Sequence, residues 1–104
     1  MQTSLLDTAR SKTQEVFETV RNISRETPLL TSAALDEFAE RKLFVKAESL
    51  QHTGSFKLRG AFYRLKNLDP SQLQNGVVAY SSGNFAQGLA RAGQFLVLPG
   101  PLCL

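Results

Sequence analysis

The sequence predicts an α/β domain in which parallel strands alternate with crossover helices. Short apolar runs at residues 43–45 and 77–80 have the length and composition of strands. Each run is followed by a polar loop and then by a segment whose apolar residues recur at helical spacing. The run at 77–80 is continuous, which is typical of a buried parallel strand. This repeated order of strand, loop and helix therefore indicates an α/β class.

The first part of the chain is expected to form helices around one short strand. Apolar residues recur at helical spacing from 5 to 23, and Ser4 and Asp7 are placed as a capping box for that helix. The helix is expected to end before Pro28, because the residue before a proline is restricted to extended geometry. The next expected elements are a short strand at 29–31, a short helix at 33–41 and a strand at 43–45.

The second part is expected to repeat the pattern. Ser55 is the expected N-cap of a helix at 56–65, after a polar loop. Gly60 inside that helix costs about 1 kcal/mol relative to alanine, so we expect close packing there. The later expected elements are a helical turn from Asp69, a buried strand at 77–80 with Tyr80 in the core, and a helix at 85–90 that Gly93 ends.

The composition narrows the class of protein. The 104 residues make one domain at most, and the net charge of +3 is spread among residues of both signs, so no nucleic acid partner is expected. No apolar run approaches the roughly 18 residues of a membrane span. One cysteine and one histidine give no metal-ligand cluster, so no metal is expected. Acidic residues near the N-terminus argue against a targeting peptide, and the expected location is cytoplasmic.

The candidate site centres on Lys57, at the start of the helix after the first strand and loop. Its neighbours Phe56, Leu58 and Ala61 are apolar, which leaves little room for an ammonium group in solvent. Partial burial and the positive end of the helix dipole both favour the neutral amine, which can form a Schiff base. A capped surface helix with no catalytic role fits the same residues.

A second loop, Ser81-Ser82-Gly83-Asn84, follows the second strand and also enters a helix. Ligands bind at the carboxyl ends of strands in open α/β sheets, so neighbouring strands would bring both loops to one pocket. Backbone N–H groups before a helix can hold a carboxylate, and the Asn84 amide can meet a ring hydroxyl. Taken alone, this tetrapeptide is more often a simple turn.

Two long motifs resemble a known family. They are Lys46-x-Glu48-x-x-Gln51-x-Thr53-Gly54-Ser55-Phe56-Lys57-x-Arg59-Gly60-Ala61 and Ser81-Ser82-Gly83-Asn84-Phe85-Ala86-Gln87-Gly88, with Thr27-Pro28-Leu29 upstream. Their order and gap resemble those of the threonine and serine dehydratases, pyridoxal-phosphate enzymes with a tryptophan-synthase-β-like fold. The resemblance covers about residues 5–90 and implies the N-terminal part of a three-layer open parallel-sheet domain, truncated, over residues 1–90. Residues 91–104 are interpreted as a divergent apolar tail.

The resemblance implies a role for each residue of the candidate site. Lys57 is the implied catalytic residue, which holds pyridoxal 5′-phosphate as a Schiff base and moves the α-proton. Phe56 is implied to pack against the cofactor ring, and Asn84 to bond its 3′-hydroxyl. The substrate carboxylate is implied to bind Ser81, Ser82, Gly83 and Asn84. The implied reaction is the deamination of L-threonine to 2-oxobutanoate and ammonia, the step that serves isoleucine biosynthesis.

Three other residues are interpreted without a catalytic role. Arg59 is expected to be structural and to pair with a loop or with an opposing domain. His52 stands at an open position of the motif and is interpreted as a solvated loop residue. Phe85 departs from the family, in which histidine is common at this position, so no imidazole is expected to act there.

The sequence lacks parts that the family uses, namely a Gly-Gly-Gly-Gly loop for the cofactor phosphate and a later residue to face the pyridine nitrogen. We therefore expect a truncated or frameshifted chain that folds poorly alone and has no dehydratase activity. Two alternatives stay open. One is a fragment of a serine or amino-acid racemase with Ser82 as second acid/base, and the other is a non-enzymatic module that pairs with a full-length relative through a strand edge. Homo-oligomers are implied for the full-length family.

Overall fold

The computed structural model describes residues 4–99 and, for the backbone alone, residues 102–103. The elements in chain order are α1 Leu5–Val20, β1 Leu29–Leu30, α2 Ala33–Ala39, β2 Val45–Lys46, α3 Lys57–Lys66, α4 Pro70–Leu73, β3 Val78–Ala79, α5 Asn84–Phe95 and β4 Leu102–Cys103. Two 3-10 turns, Glu48–Leu50 and His52–Gly54, connect β2 to α3. The chain has the predicted mixture of helices and strands, and its class is α/β. Within the described residues, no helix is both long and apolar enough to cross a membrane.

Local capping explains where the outer helices begin. Helix α1 starts after Ser4, whose Oγ accepts a 3.1 Å hydrogen bond from the backbone N–H of Asp7. Helix α4 has Pro70 at its first position and a reciprocal capping box between Asp69 and Gln72. The predicted helices α1, α2 and α4 are confirmed. For α1 and α4, the capping residues lie within a few positions of the helix start, so a sequence pattern can detect them.

The strands form two separate pairs. β1 lies antiparallel to β2, with Leu29 opposite Lys46. β3 lies parallel to β4, with Val78 opposite Leu102. Within the described residues, the strand before Lys57 and the strand before the second loop are therefore not neighbours. Strand pairing among the described residues therefore does not bring the two loops together.

The core lies between α3 and α5, and α1 closes one side of it. Its buried apolar residues are Val20, Leu58, Ala61, Phe62, Leu65, Leu89 and Ala92. The rings of Phe62 and Phe95 meet edge to face with their centroids 6.3 Å apart. The buried positions of α3 recur at intervals of three and four residues, so one face of this helix is covered and the other faces solvent.

Several local predictions are wrong, and packing explains each of them. Gly60 has open space around it, since a Cβ at this position meets nothing within 4 Å. Gly93 does not end its helix, because it is buried within α5, which continues to Phe95. Tyr80 is 89 % exposed and Val78 is 68 % exposed, so β3 is not a buried strand here. No described element covers these two side chains.

The predicted tail begins inside α5. Leu96 and Leu98, which follow α5, pack against the core. Residues 100, 101 and 104 of that tail lie outside the described residues. A domain boundary at residue 91 stays a prediction.

Candidate functional site

A network of charged groups centred on Glu48 fixes the loop before Lys57. Arg59 donates to both carboxylate oxygens of Glu48, from Nη2 to Oε1 at 2.7 Å and from Nε to Oε2 at 3.3 Å. Thr27 donates its hydroxyl to the same carboxylate. Lys46 donates to the hydroxyl of Thr27 at 2.7 Å and to its carbonyl at 2.8 Å. The network joins the segment before β1, strand β2 and helix α3, and the pairing of Arg59 with a loop is confirmed.

The Glu48 carboxylate is held in its ionised form by its partners. Burial raises the pKa of Glu48, but the hydrogen bonds from Thr27 and Arg59 and the charges of Arg59 and Lys46 outweigh burial and lower the pKa overall. An ionised Glu48 keeps both bonds to the guanidinium, and so the loop stays anchored to the first turns of α3.

Gln51 supplies a second anchor for the same loop and is only 4 % exposed. Its Oε1 accepts from the backbone N–H of Arg25 at 2.8 Å, and its Nε2 donates to the carbonyl of Arg25 at 2.9 Å. The same Oε1 accepts from the N–H of His52 at 3.0 Å. One side chain thus satisfies both backbone groups of a residue that lies far away in sequence. Much of the first motif is therefore scaffold around Lys57.

The chain turns sharply before Lys57. Thr53 and Gly54 have consecutive positive φ values of 69° and 71°, and such a value is rare for a β-branched residue. Within the described residues, the buried Oγ1 of Thr53 has no hydrogen-bond partner. The turn places Ser55 so that its Oγ accepts from the backbone N–H of Lys57 at 3.4 Å. The N-cap position of α3 is held by Phe56, one residue after the predicted Ser55, because the helix begins at Lys57.

Lys57 is half-buried at the first position of α3. Its ammonium lies 4.4 Å from the centroid of the Phe56 ring, which is a cation–π distance. In the part of the chain that the structure describes, no carboxylate forms an ion pair with Lys57. Phe56 is 63 % exposed, so this lysine and ring stand on an open side of the molecule. A lysine held in this way is available to a carbonyl ligand.

The second loop, residues 81–84, is organised by its first serine. Ser81 Oγ accepts hydrogen bonds from the N–H groups of Gly83 at 3.3 Å and Ala86 at 3.1 Å, so it caps the start of α5. Asn84 is the first residue of α5, and it is exposed together with Ser82 and Gly83. The side chain of Ser81 therefore shapes the loop, while the other three residues face solvent.

Helix packing brings the two loops together. Gly88 of α5 is buried against the first turn of α3, where a Cβ on Gly88 would lie 3.1 Å from the backbone N of Leu58 and from C and Cβ of Lys57. Asn84 lies one helical turn before Gly88 on the same face of α5. The start of α5 is therefore beside Lys57. Among the described residues, no hydrogen bond joins the Lys57 side chain to loop 81–84, and the shared surface is open to solvent.

Sequence reasoning missed the importance of Gly88, although it lies in the second motif. A glycine inside a helix is the same signal that wrongly singled out Gly60. The register of the apolar residues separates the two glycines, because Gly88 falls on the face of Leu89 and Ala92, whereas Gly60 falls opposite Phe62. The spacing of the apolar residues in the sequence therefore identifies Gly88, and not Gly60, as the glycine on a buried helix face.

His52 lies half-buried in the loop between β2 and α3. Burial lowers the pKa of its imidazole, and the charges of Arg25 and Arg91 lower it further. The described residues contain no group of histidine, cysteine or carboxylate side chains suited to a metal ion.

The sequence is similar to those of known proteins. The sequence profile of a family described as pyridoxal-phosphate dependent enzyme matches residues 20–100. An L-threo-3-hydroxyaspartate ammonia-lyase of a Pseudomonas species is 45 % identical over 87 residues, which are 84 % of this chain and 27 % of that protein. An L-threonine ammonia-lyase of Thermotoga maritima is 38 % identical over 91 residues, 88 % of this chain and 23 % of that protein.

The solved structures agree with the sequence relatives. A serine racemase from maize superimposes with a TM-score of 0.79 and 33 % identity, over 89 % of this chain and 29 % of that one. The chain spans about a quarter of the length of the curated relatives it matches. The family profile covers most of the chain, and the fold agrees with it. The protein therefore belongs to the family of pyridoxal-phosphate-dependent enzymes.

Proposed function

We propose that this chain is the N-terminal part of a pyridoxal-phosphate-dependent dehydratase that deaminates L-threonine or L-serine, with Lys57 as the residue that binds the cofactor. The observation that carries the proposal is the placement of Lys57, without an ion pair in the described residues, beside the start of α5. Two relatives named as ammonia-lyases, at 45 % and 38 % identity, support this reaction class.

The residues around Lys57 fit pyridoxal phosphate. The cofactor aldehyde needs an amine that no carboxylate holds, and Lys57 supplies one. The exposed ring of Phe56 offers an apolar face beside that amine. Gly88 packs closely against the first turn of α3, and Asn84 lies one helical turn before Gly88, which supports a role for the Asn84 amide as a donor to a ring hydroxyl. When bound, the cofactor supplies an electron sink for the charge that develops on the substrate α-carbon.

The protein residues divide the remaining work. Lys57 Nζ would hold the cofactor, and its free amine would take the proton from the substrate α-carbon. The hydroxyl of Ser82 and the N–H groups at the start of α5 donate to the substrate carboxylate, which the helix dipole also favours. Ser81 keeps loop 81–84 in shape through its two backbone partners. The β-hydroxyl would leave as water, and addition of one water to the resulting free imine would release the 2-oxo acid and ammonia.

The proposal is tested on the chain in trimethylamine N-oxide, which favours the folded form, by trapping the cofactor with borohydride and mapping the modified lysine by mass spectrometry. Lys66 is the internal reference, because it is exposed and has no ion pair within the described residues. We expect modification of Lys57 well above that of Lys66, and its loss in Lys57→Arg. Equal modification of the two lysines contradicts the proposal.

Serine racemase is the second candidate, and the maize serine racemase at 33 % identity favours it. In a racemase the hydroxyl of Ser82 is the second acid/base, and this residue is exposed and forms no hydrogen bond among the described residues. A chimera separates the two reactions, with this chain replacing the matching segment of the Thermotoga maritima relative. We expect Ser82→Ala to weaken 2-oxobutanoate release from L-threonine, through loss of one hydrogen bond to the substrate carboxylate, without abolishing it. Serine racemisation abolished by the same change favours the racemase.

A further inference from the structure

Gly88 of α5 packs unusually closely against the first turn of α3. A Cβ at Gly88 would lie 3.1 Å from three atoms of Lys57 and Leu58, which is inside ordinary van der Waals contact. Two of these atoms belong to the backbone of α3, which cannot rotate away as the end of a side chain can. A side chain at this position therefore moves one helix relative to the other.

We propose that Gly88 is a positioning residue that sets the distance between Lys57 and loop 81–84. The proposal rests on the proposed function, in which the loop and Asn84 serve the group bound on Lys57. A glycine here lets α5 lie directly against the lysine backbone. Gly88 takes no part in the reaction itself. Its lack of a side chain sets the position of the α5 backbone.

The geometry of α5 directs any displacement toward the loop. The later part of the helix is fixed in the core by Leu89, which is 4 % exposed, and by Ala92, which is fully buried. In the first turn, Asn84 and Phe85 are exposed and Ala86 is half-buried, so this end is less deeply packed. We expect a methyl group at Gly88 to displace this end of α5 more than its buried end, and so to change the distance between loop 81–84 and Lys57.

Gly60 provides a matched control within the same pair of helices. It also lies inside a helix, but a Cβ there meets nothing within 4 Å. Alanine is a better helix former than glycine by about 1 kcal/mol, so Gly60→Ala is expected to be neutral or stabilising. Leu89→Ala is the second control, because it weakens the same interface without approaching Lys57.

The experiment measures the binding of pyridoxal phosphate to the 104-residue chain by absorbance, and its trapping on Lys57 relative to Lys66. All variants are compared at equal helix content, adjusted with trimethylamine N-oxide. We expect Gly88→Ala to weaken binding at Lys57 several-fold, because the helices must shift by a few tenths of an ångström and a misplacement of about 1 Å costs roughly 100-fold. Gly60→Ala is expected to match the wild type, and Leu89→Ala is expected to lose far less than Gly88→Ala.

A double-mutant cycle with Asn84→Ala separates positioning from simple loss of structure. If Gly88 acts through the loop, Gly88→Ala costs much less when Asn84 is already alanine. Additive losses, or equal losses in Gly88→Ala and Leu89→Ala, overturn the positioning role. Wild-type binding at Lys57 in Gly88→Ala overturns it as well and leaves the proposed function intact. A wild-type chain that shows no preference for Lys57 overturns both.

Discussion

At the scale of single residues, Glu48 carries the clearest pH dependence. Its pKa in the folded chain lies below the usual 4.5, because its bonds from Thr27 and Arg59 outweigh the effect of burial. The unfolded chain therefore binds this proton more readily, so the stabilisation from Glu48 is present above about pH 4.5 and is lost as the pH falls through the folded value. At neutral pH, Glu48→Gln also leaves the guanidinium of Arg59 without its anion.

We therefore expect Glu48→Gln to be less stable than the wild type at pH 7 and to approach it below the usual pKa of the carboxyl. The measurement is the concentration of trimethylamine N-oxide at the midpoint of folding. Folding is followed by circular dichroism at pH 7 and at a pH below the usual carboxyl pKa of 4.5. Glu37→Gln is the control, because Glu37 has no ion pair among the described residues. A constant gap between Glu48→Gln and the wild type at all pH values contradicts the prediction.

At the scale of elements, the start of α5 depends on one hydroxyl. Ser81→Ala removes the acceptor for the N–H groups of Gly83 and Ala86, and loss of such a cap costs about 1 kcal/mol. We expect Ser81→Ala to raise the midpoint of osmolyte-induced folding. Ser82→Ala is the adjacent control, since the Ser82 hydroxyl makes no hydrogen bond in the described part of the chain. Equal shifts in the two variants would exclude a capping role for Ser81.

The elements also show which features a sequence can predict. Capped helices such as α1 and α4 are predictable, because Ser4 and Asp69 act on residues a few positions away. The two motifs likewise identified the candidate site through residue identity. The pairing of β3 with β4, and the exposure of Tyr80, depend on which distant segments cover a strand. Short-range patterns carry no information on that. Gly60 is a different case, because the register of the apolar residues in α3 already puts it opposite the buried Phe62.

At the scale of the whole molecule, the described chain is expanded for its length. Its radius of gyration is 17.0 Å, whereas a compact domain of this length has about 13 Å. The strands are two residues long and form isolated pairs, which are too small to be stable alone. Large apolar side chains such as Phe38 and Tyr80, each 89 % exposed, remain in water. The burial that stabilises a sheet domain is therefore incomplete in these 104 residues.

We expect the 104-residue chain to show no cooperative melt above room temperature by far-ultraviolet circular dichroism, and to gain helix as trimethylamine N-oxide is added, because the osmolyte favours burial. Helix should appear first in α3 and α5, which share the buried core.

With added pyridoxal phosphate and L-threonine, 2-oxobutanoate release should not exceed the rate with free cofactor, because these 104 residues contain no glycine-rich loop to hold the cofactor phosphate. A cooperative melt in plain buffer would show that the α3–α5 core suffices for folding, and turnover that disappears in Lys57→Arg would show that the phosphate needs no such loop.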